Sequence, residues 1–402
     1  MKKLMILGAS VLQIPAIVEA KKMGLYVLAV DMNPNAEGFS YADKKIVVST
    51  TDTEKVLEEA KKNKIDGIIT IASDRPMTTV AKVAKKLDLI GIDEKTAINA
   101  TNKSKMRDAL KAYDVPIPMY FSVDNYDRYL KAVDEILMKN YKCIVKPEDN
   151  SGSRGIRLVE STDECDLKKI FDYCKSNSNS GKLLVEEYME GPEVSVETIS
   201  KDGVCNVIQI TDKITTGPPY FVELGHSQPS SLDKDTIDKI KKVAIDTNRA
   251  IGIENGPSHT EIKVTKDGPK VVEVGARLGG DNITTHLVPY STGVNMVKAS
   301  IKIALGEEID VRKSFEKASV IRYKKCDTGK ILKIKGIEEA KKIQGIKDVE
   351  IVHGVGEYSH TIKNSNDRVA YVISQGNDIS EAIEACKNAL DKIKIEVEES
   401  GN

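Results

Sequence analysis

The 402 residues are 40% hydrophobic and 30% charged, the balance of a soluble globular protein and not of a disordered or fibrous one. At roughly 150 residues per domain, that length predicts two to three domains. Basic and acidic residues number 60 and 61, for a formal net charge of -1, so no excess of positive charge exists for dedicated nucleic-acid binding.

The longest apolar runs, such as residues 4–7, are far too short to span a membrane. A strand begins almost at the first residue, with no cleavage-site pattern. The six cysteines include no C-x-x-C pair and no cysteine–histidine cluster. A cytoplasmic protein with reduced thiols and no membrane partner is expected.

Residues 2–7, 26–31, 45–48 and 67–71 are short aliphatic or β-branched runs, and helical patterns lie between several of them. After Pro76, for example, Val80, Ala81, Val83, Ala84 and Leu87 recur at helical spacing. Such alternation predicts a parallel sheet with helices on its faces. Ligands of these sheets bind beyond the C-terminal strand ends, which makes Gly8–Ser10, Asp31 with Asn33, and Ser73–Arg75 candidate walls of a site.

From about residue 117 strands cluster instead, at 183–188, 193–200, 204–211, 259–265 and 270–274, with helices at 125–139, 163–174 and 233–250. This is an α+β region on antiparallel sheet. A third unit follows residue 306, with strands at 318–323, 348–352 and 368–374 and a helix at 379–393. The fold class expected is α/β and α+β, divided as 1–102, 103–306 (with a lobe at about 117–190) and 307–402.

The segment from Ser258 to Arg277 holds two alternating runs around Lys266-Asp267-Gly268. A three-residue hairpin loop with Gly268 at its left-handed third position sets Glu261 directly opposite Glu273. Two like charges at that spacing are destabilising unless a cation lies between them, and magnesium suits, since it takes one or two carboxylates and completes its shell with phosphate and water. Period-two alternation brings Gly275 and Arg277 to the face of Glu273. The alternative is a solvated hairpin face, and a slip of one residue would separate the carboxylates.

Three further segments carry candidates. Lys146 ends an apolar run, and Ser151, Gly152, Ser153 and Gly155 follow in a loop able to cradle an anion, although the P-loop pattern is missing. Residues 183–197 pass through Glu186, Glu187, Met189 and a Gly-Pro turn to Glu193, offering backbone groups to a planar base and a carboxylate to sugar hydroxyls. Lys103 begins a helical pattern. His226 and His259 occur without a metal-ligand spacing. Each of these also has a plain reading as turn, surface lysine or satisfied histidine.

In this order and at these separations, the four segments resemble the ATP-grasp superfamily of carboxylate–amine ligases, and the resemblance covers nearly the whole chain. It implies a pre-ATP-grasp domain, a two-lobed ATP-grasp core and a small α+β C-terminal domain. ATP and magnesium are the implied cofactors, with manganese as a substitute. It implies Lys103 and Lys146 on the ATP phosphates, Ser151–Gly155 as the lid, Glu186, Glu187 and Met189 at the adenine hinge, and Glu193 at the ribose. Glu261 and Glu273 become metal ligands and Arg277 the active-site arginine. Many members have an asparagine two positions after the second acid; Gly275 stands there instead. Within the superfamily, Gly225-His226-Ser-Gln-Pro229 and Arg277-Leu-Gly-Gly-Asp281 look most like the L-amino-acid (dipeptide) ligases, with carbamoyl-phosphate-synthetase-like proteins next.

The implied reaction joins a carboxylate to an amine through an acyl phosphate. His226 and Asp281, with Glu223, are placed at the amine by position alone. The partners expected are small-molecule carboxylate and amine substrates, and a homodimer, as relatives often form. The alternatives are a bicarbonate-phosphorylating carboxylase or carbamoyl-phosphate-synthetase-like subunit, and a non-catalytic ATP-binding protein.

Overall fold

The computed structural model describes residues 1–150 and 154–398. Four parallel strands form the N-terminal sheet, in the order Lys44–Val47, Tyr26–Asp31, Lys3–Leu7, Gly67–Ile69. Parallel sheets need cover on both faces. One face packs against Val56 and Leu57 of helix Thr53–Asn63 and Val80 and Val83 of helix Met77–Lys86. The other packs against Ile17 of helix Ile14–Lys22 and, from far along the chain, Met296, Val297 and Ile301 of helix Met296–Ala304. The N-terminal core is thus closed by a helix from the central region.

A second, antiparallel sheet runs Tyr120–Val123, Leu183–Glu187, Cys143–Pro147, Arg157–Val159. Helices Tyr126–Leu137 and Glu164–Ser176 pack on it through Tyr129, Val133, Leu167 and Phe171. Asn125 and Asp163 cap these helices, each side chain accepting from backbone N–H groups of the first turn.

The third sheet has eight antiparallel strands: Gly268–Gly275, Gly256–Thr265, Glu193–Lys201, Val204–Thr215, Glu223–Gln228, Ala318–Tyr323, Ala370–Gly376 and Ile346–Ile351. It runs on past residue 306, because Glu223–Gln228 pairs with Ala318–Tyr323, which pairs with Ala370–Gly376. The C-terminal α+β region therefore extends the central sheet, and it adds a small sheet of its own from Tyr358–Ser359, Gly329–Lys335 and Lys394–Val397. Helix Ile379–Lys392 covers this end through Ala382, Cys386 and Ala389.

The hairpin differs from its expected form. Thr265 faces Gly268, so the loop has two residues, Lys266 and Asp267, and Gly268 (φ +109°) already belongs to the returning strand. That register pairs Ile262 with Val271 and would set Glu261 off by one. A bulge at Val272 restores it, and Glu261 stands opposite Glu273. The bulged Val272 carbonyl accepts from the Arg107 guanidinium at 2.7 Å, so the group the bulge releases is satisfied.

Candidate active site

The loops beyond the parallel sheet, the second sheet and the eight-stranded sheet together enclose a cavity of about 360 Å³. Lys103, Lys146, Glu186, Glu187, Met189, Glu193, His226, Glu261, Glu273, Arg277 and Asp281 all line it. Of the lid candidates, Ser151, Gly152 and Ser153 lie outside the described residues. Gly155 is described, has φ +78°, and packs where an added Cβ would come within 2.7 Å of Pro147.

Glu261 and Glu273 sit side by side on the hairpin, each facing a cation. Lys213 Nζ lies 2.9 Å from Glu261 Oε1, and Lys103 Nζ 3.4 Å from Glu273 Oε1. Lys213 is the hub of the acidic group, also reaching Glu193 at 2.7 Å and Glu223 at 3.7 Å. Burial disfavours its charge, but Glu261, Glu193 and Glu223 together raise its pKa well above the lysine value. Burial likewise disfavours the Glu261 carboxylate, yet Lys213 and His259 hold its pKa well below the usual range. His259 is itself set from behind by Glu197, which is fully buried and bonded to Nδ1. Burial pulls the imidazole down and Glu197 more than offsets it, leaving a pKa of about 9.

These carboxylates fit a hard divalent cation. The donors are oxygens, Glu261 is held anionic, and the buried Ser195 hydroxyl, on the strand directly opposite Glu261, has no partner among the described residues. Among the described residues no three His, Cys, Asp or Glu side chains converge as a protein-only metal cage; a cation held by two carboxylates with phosphate and water is the kind of site magnesium prefers.

Lys146 and Glu186 are neighbours on the second sheet. Ile144 opposes Glu186, and Lys146, two residues on, shares that face. The Glu186 carboxylate bonds both Lys146 Nζ and Arg107 Nε, the latter at 2.6 Å. All three side chains are nearly inaccessible. Burial would raise the Glu186 pKa, but the two cations hold it low, while burial holds Lys146 below the usual lysine value. Glu186, expected at an adenine hinge, therefore uses its side chain to anchor a lysine. Glu187 is also engaged, by Lys270 Nζ at 2.8 Å and the Met119 N–H at 3.1 Å. Met189, two residues on, lines the cavity wall.

Arg277 is paired with Asp74, beyond the end of strand Gly67–Ile69. Asp74 is thus the residue of the N-terminal strand ends that reaches the site with a charge. Asp31 does not line the cavity; it accepts from the Ala9 and Asn33 N–H groups and shapes its own loop. The Asp74–Arg277 pair also explains Gly275: an added Cβ would come within 2.8 Å of Asp74 Oδ1 and 3.1 Å of Arg277 Cζ. His226 and Asp281 meet at 3.3 Å, and Arg368 reaches Asp281.

Sequence reasoning passed over Arg107, Glu197, Lys213 and Arg368. Lys213 left a trace: with Asp212 it is one of two charged residues in an otherwise uncharged strand, and its side chain is only 4% exposed. Arg368 left none.

Two family models match: the ATP-grasp domain over residues 139–285 and the L-amino acid ligase C-terminal domain 2 over residues 326–398. Alanine–anticapsin ligase of Bacillus subtilis is 29% identical over 265 residues, covering 60% of this chain and 55% of that protein. Phosphoribosylamine–glycine ligase of Methanococcus maripaludis is 24% identical over 93% of this chain and 89% of its own length. The crystal structure of an L-amino acid ligase from Bacillus licheniformis superposes with a TM-score of 0.83 at 23% identity, over 99% of each chain.

The fold is thus the one seen in a solved L-amino acid ligase, with an ATP-grasp domain at its centre. The chain carries an ATP-grasp domain and an L-amino acid ligase C-terminal domain, and its relatives include ligases that form C–N bonds.

Proposed function

We propose that the enzyme activates the carboxylate of an amino acid with ATP as an acyl phosphate and transfers the acyl group to the amine of a second small molecule. The observation that supports this most is the meeting, in one cavity, of the Glu261–Glu273 pair with Lys103, Lys146, Lys213 and Arg277. The match of residues 326–398 to the L-amino acid ligase C-terminal domain points to amino acids as the carboxylate class.

Phosphoryl transfer needs positioning and charge neutralisation more than covalent help. Lys103 and Lys146 would hold the ATP phosphates, Met189 and the Glu187 backbone the base, and Glu193 the ribose. Magnesium, or manganese, held by Glu261 and Glu273 would supply electrostatic stabilisation of the transferring phosphoryl group. Arg277, kept charged by Asp74, would bind the acyl phosphate. His226, oriented by Asp281, would take the proton of the attacking amine.

A phosphate-release screen with ATP, magnesium and paired amino acids, with a bicarbonate arm, tests this reading. Release that depends on an amino acid and an amine is expected. Release with bicarbonate and no amino acid would replace the ligase reading with the carboxylase one. Among the described residues no helix is long and apolar enough to cross a membrane, and we place the enzyme in the cytoplasm as a homodimer, which fractionation and sedimentation would check.

A further inference from the structure

We infer that Arg368 is a positioning residue for the amine-transfer step, acting through Asp281 on His226. The inference rests on the reading above and adds to it a residue from the C-terminal region. Arg368 NH1 donates to Asp281 Oδ2 at 2.7 Å and NH2 to Oδ1 at 2.8 Å, a two-point fork across 87 residues of sequence.

The guanidinium is itself fixed. Its Nε donates to the Ser365 carbonyl at 2.9 Å, and its Cζ lies 3.9 Å from the centre of the Tyr323 ring. Only 8% of the residue is exposed. The partner it grips sits in a costly conformation: Asp281 has φ +49° and Asn282 φ +61°, left-handed values that side-chain-bearing residues adopt when their surroundings impose them. A rigid fork from another part of the fold is such an imposition.

Asp281 passes the constraint on. Its Oδ2 lies 3.3 Å from His226 Nε2. A carboxylate there keeps the proton on Nε2, which leaves the lone pair on Nδ1. That Nδ1 is buried and has no partner among the described residues, in a ring that is 1% exposed and lines the cavity. A buried unpartnered nitrogen is unfavourable unless a ligand supplies the missing donor. An amine is such a donor. As its nitrogen lone pair forms the new C–N bond, the acyl carbon–oxygen bond breaks, the electron pair leaves with phosphate, and the nitrogen's proton passes to Nδ1.

The test separates the two half-reactions. Hydroxylamine is already unprotonated at neutral pH and attacks acyl phosphates without a base, so ATP-dependent hydroxamate formation reports activation alone. Amide formation from an amino-acid amine reports the base as well. With Arg368→Ala, amide formation should fall about 10- to 100-fold and hydroxamate formation by less than about threefold. Arg368→Lys keeps the charge without the fork and should recover only part of the amide rate. His226→Asn combined with Arg368→Ala should be no slower than His226→Asn alone, because the arginine works through the imidazole. Equal losses in both half-reactions, unchanged amide formation, or an additive double variant would overturn the inference. A wild-type enzyme that makes no hydroxamate from ATP and any amino acid would instead overturn the reading on which it rests.

Discussion

Arg277 and Asp74 stand 203 residues apart and meet in a two-point ion pair, Nε to Oδ1 and NH2 to Oδ2, each at 2.9 Å. The loop beyond the N-terminal sheet thereby fixes the arginine that follows the hairpin. Asp74→Ala should free the guanidinium to drift and lower kcat/KM about 10- to 100-fold, since small misplacements at a reacting centre are costly. Steady-state kinetics against each substrate in turn would show it; unchanged kinetics would reduce the pair to a structural clip.

The same pair leaves no room at position 275. Gly275→Asn should displace Asp74 or Arg277 and reduce turnover about as far as Asp74→Ala does. If the asparagine variant were instead faster at low magnesium, the position would be a vacant ligand site and not a steric gap.

Glu273→Ala removes one of the facing carboxylates and leaves Lys103 without that counter-charge, its Nζ still donating to the Asn150 carbonyl. Turnover should drop by at least about 100-fold, with the magnesium requirement shifted to higher concentration. Normal ADP release at ordinary magnesium would remove this hairpin from the proposed metal site.

Glu186 joins two buried cations. Glu186→Gln would leave Arg107 and Lys146 poorly compensated, at a cost of about 3–5 kcal/mol in urea unfolding. A variant of native stability that bound nucleotide weakly would return Glu186 to the hinge role expected from the sequence.

Acid should loosen the Arg368–Asp281 link. Burial favours the neutral acid, but Arg368 and His226 hold the Asp281 pKa far below the ordinary carboxylate value. A pKa lower in the folded state gives stability that is complete above the unfolded value of about 3.9 and is lost as pH falls below it. Between about pH 4 and about pH 2, the urea midpoint of the wild type should therefore fall more steeply than that of Asp281→Asn.

Local chemistry was legible in the sequence. Asn125, Asp163 and Asp233 were positioned as helix starts, and each caps its helix. The N-terminal alternation correctly implied parallel pairing, because short aliphatic runs between helices have few other solutions. The facing of Glu261 and Glu273 was reached through a loop that does not exist: a shorter turn and a bulge at Val272 cancel each other. A bulge has no composition of its own, and this one is stabilised by Arg107 from a distant helix. Strand Glu223–Gln228 escaped notice because Gly225, His226 and Ser227 carry no β-branched signal; its place is decided by neighbours on both sides. The contacts of Arg368 and Asp74 are likewise products of tertiary assembly.

The unbroken eight-stranded sheet means that the last hundred residues cannot be exchanged like a cassette. A protein ending near residue 306 would expose the backbone edge of Glu223–Gln228, the strand bearing His226, as a template for aggregation. Chimeras with related ligases should therefore be joined where the graft brings Ala318–Tyr323 together with its partner strand, keeping the seam away from the histidine.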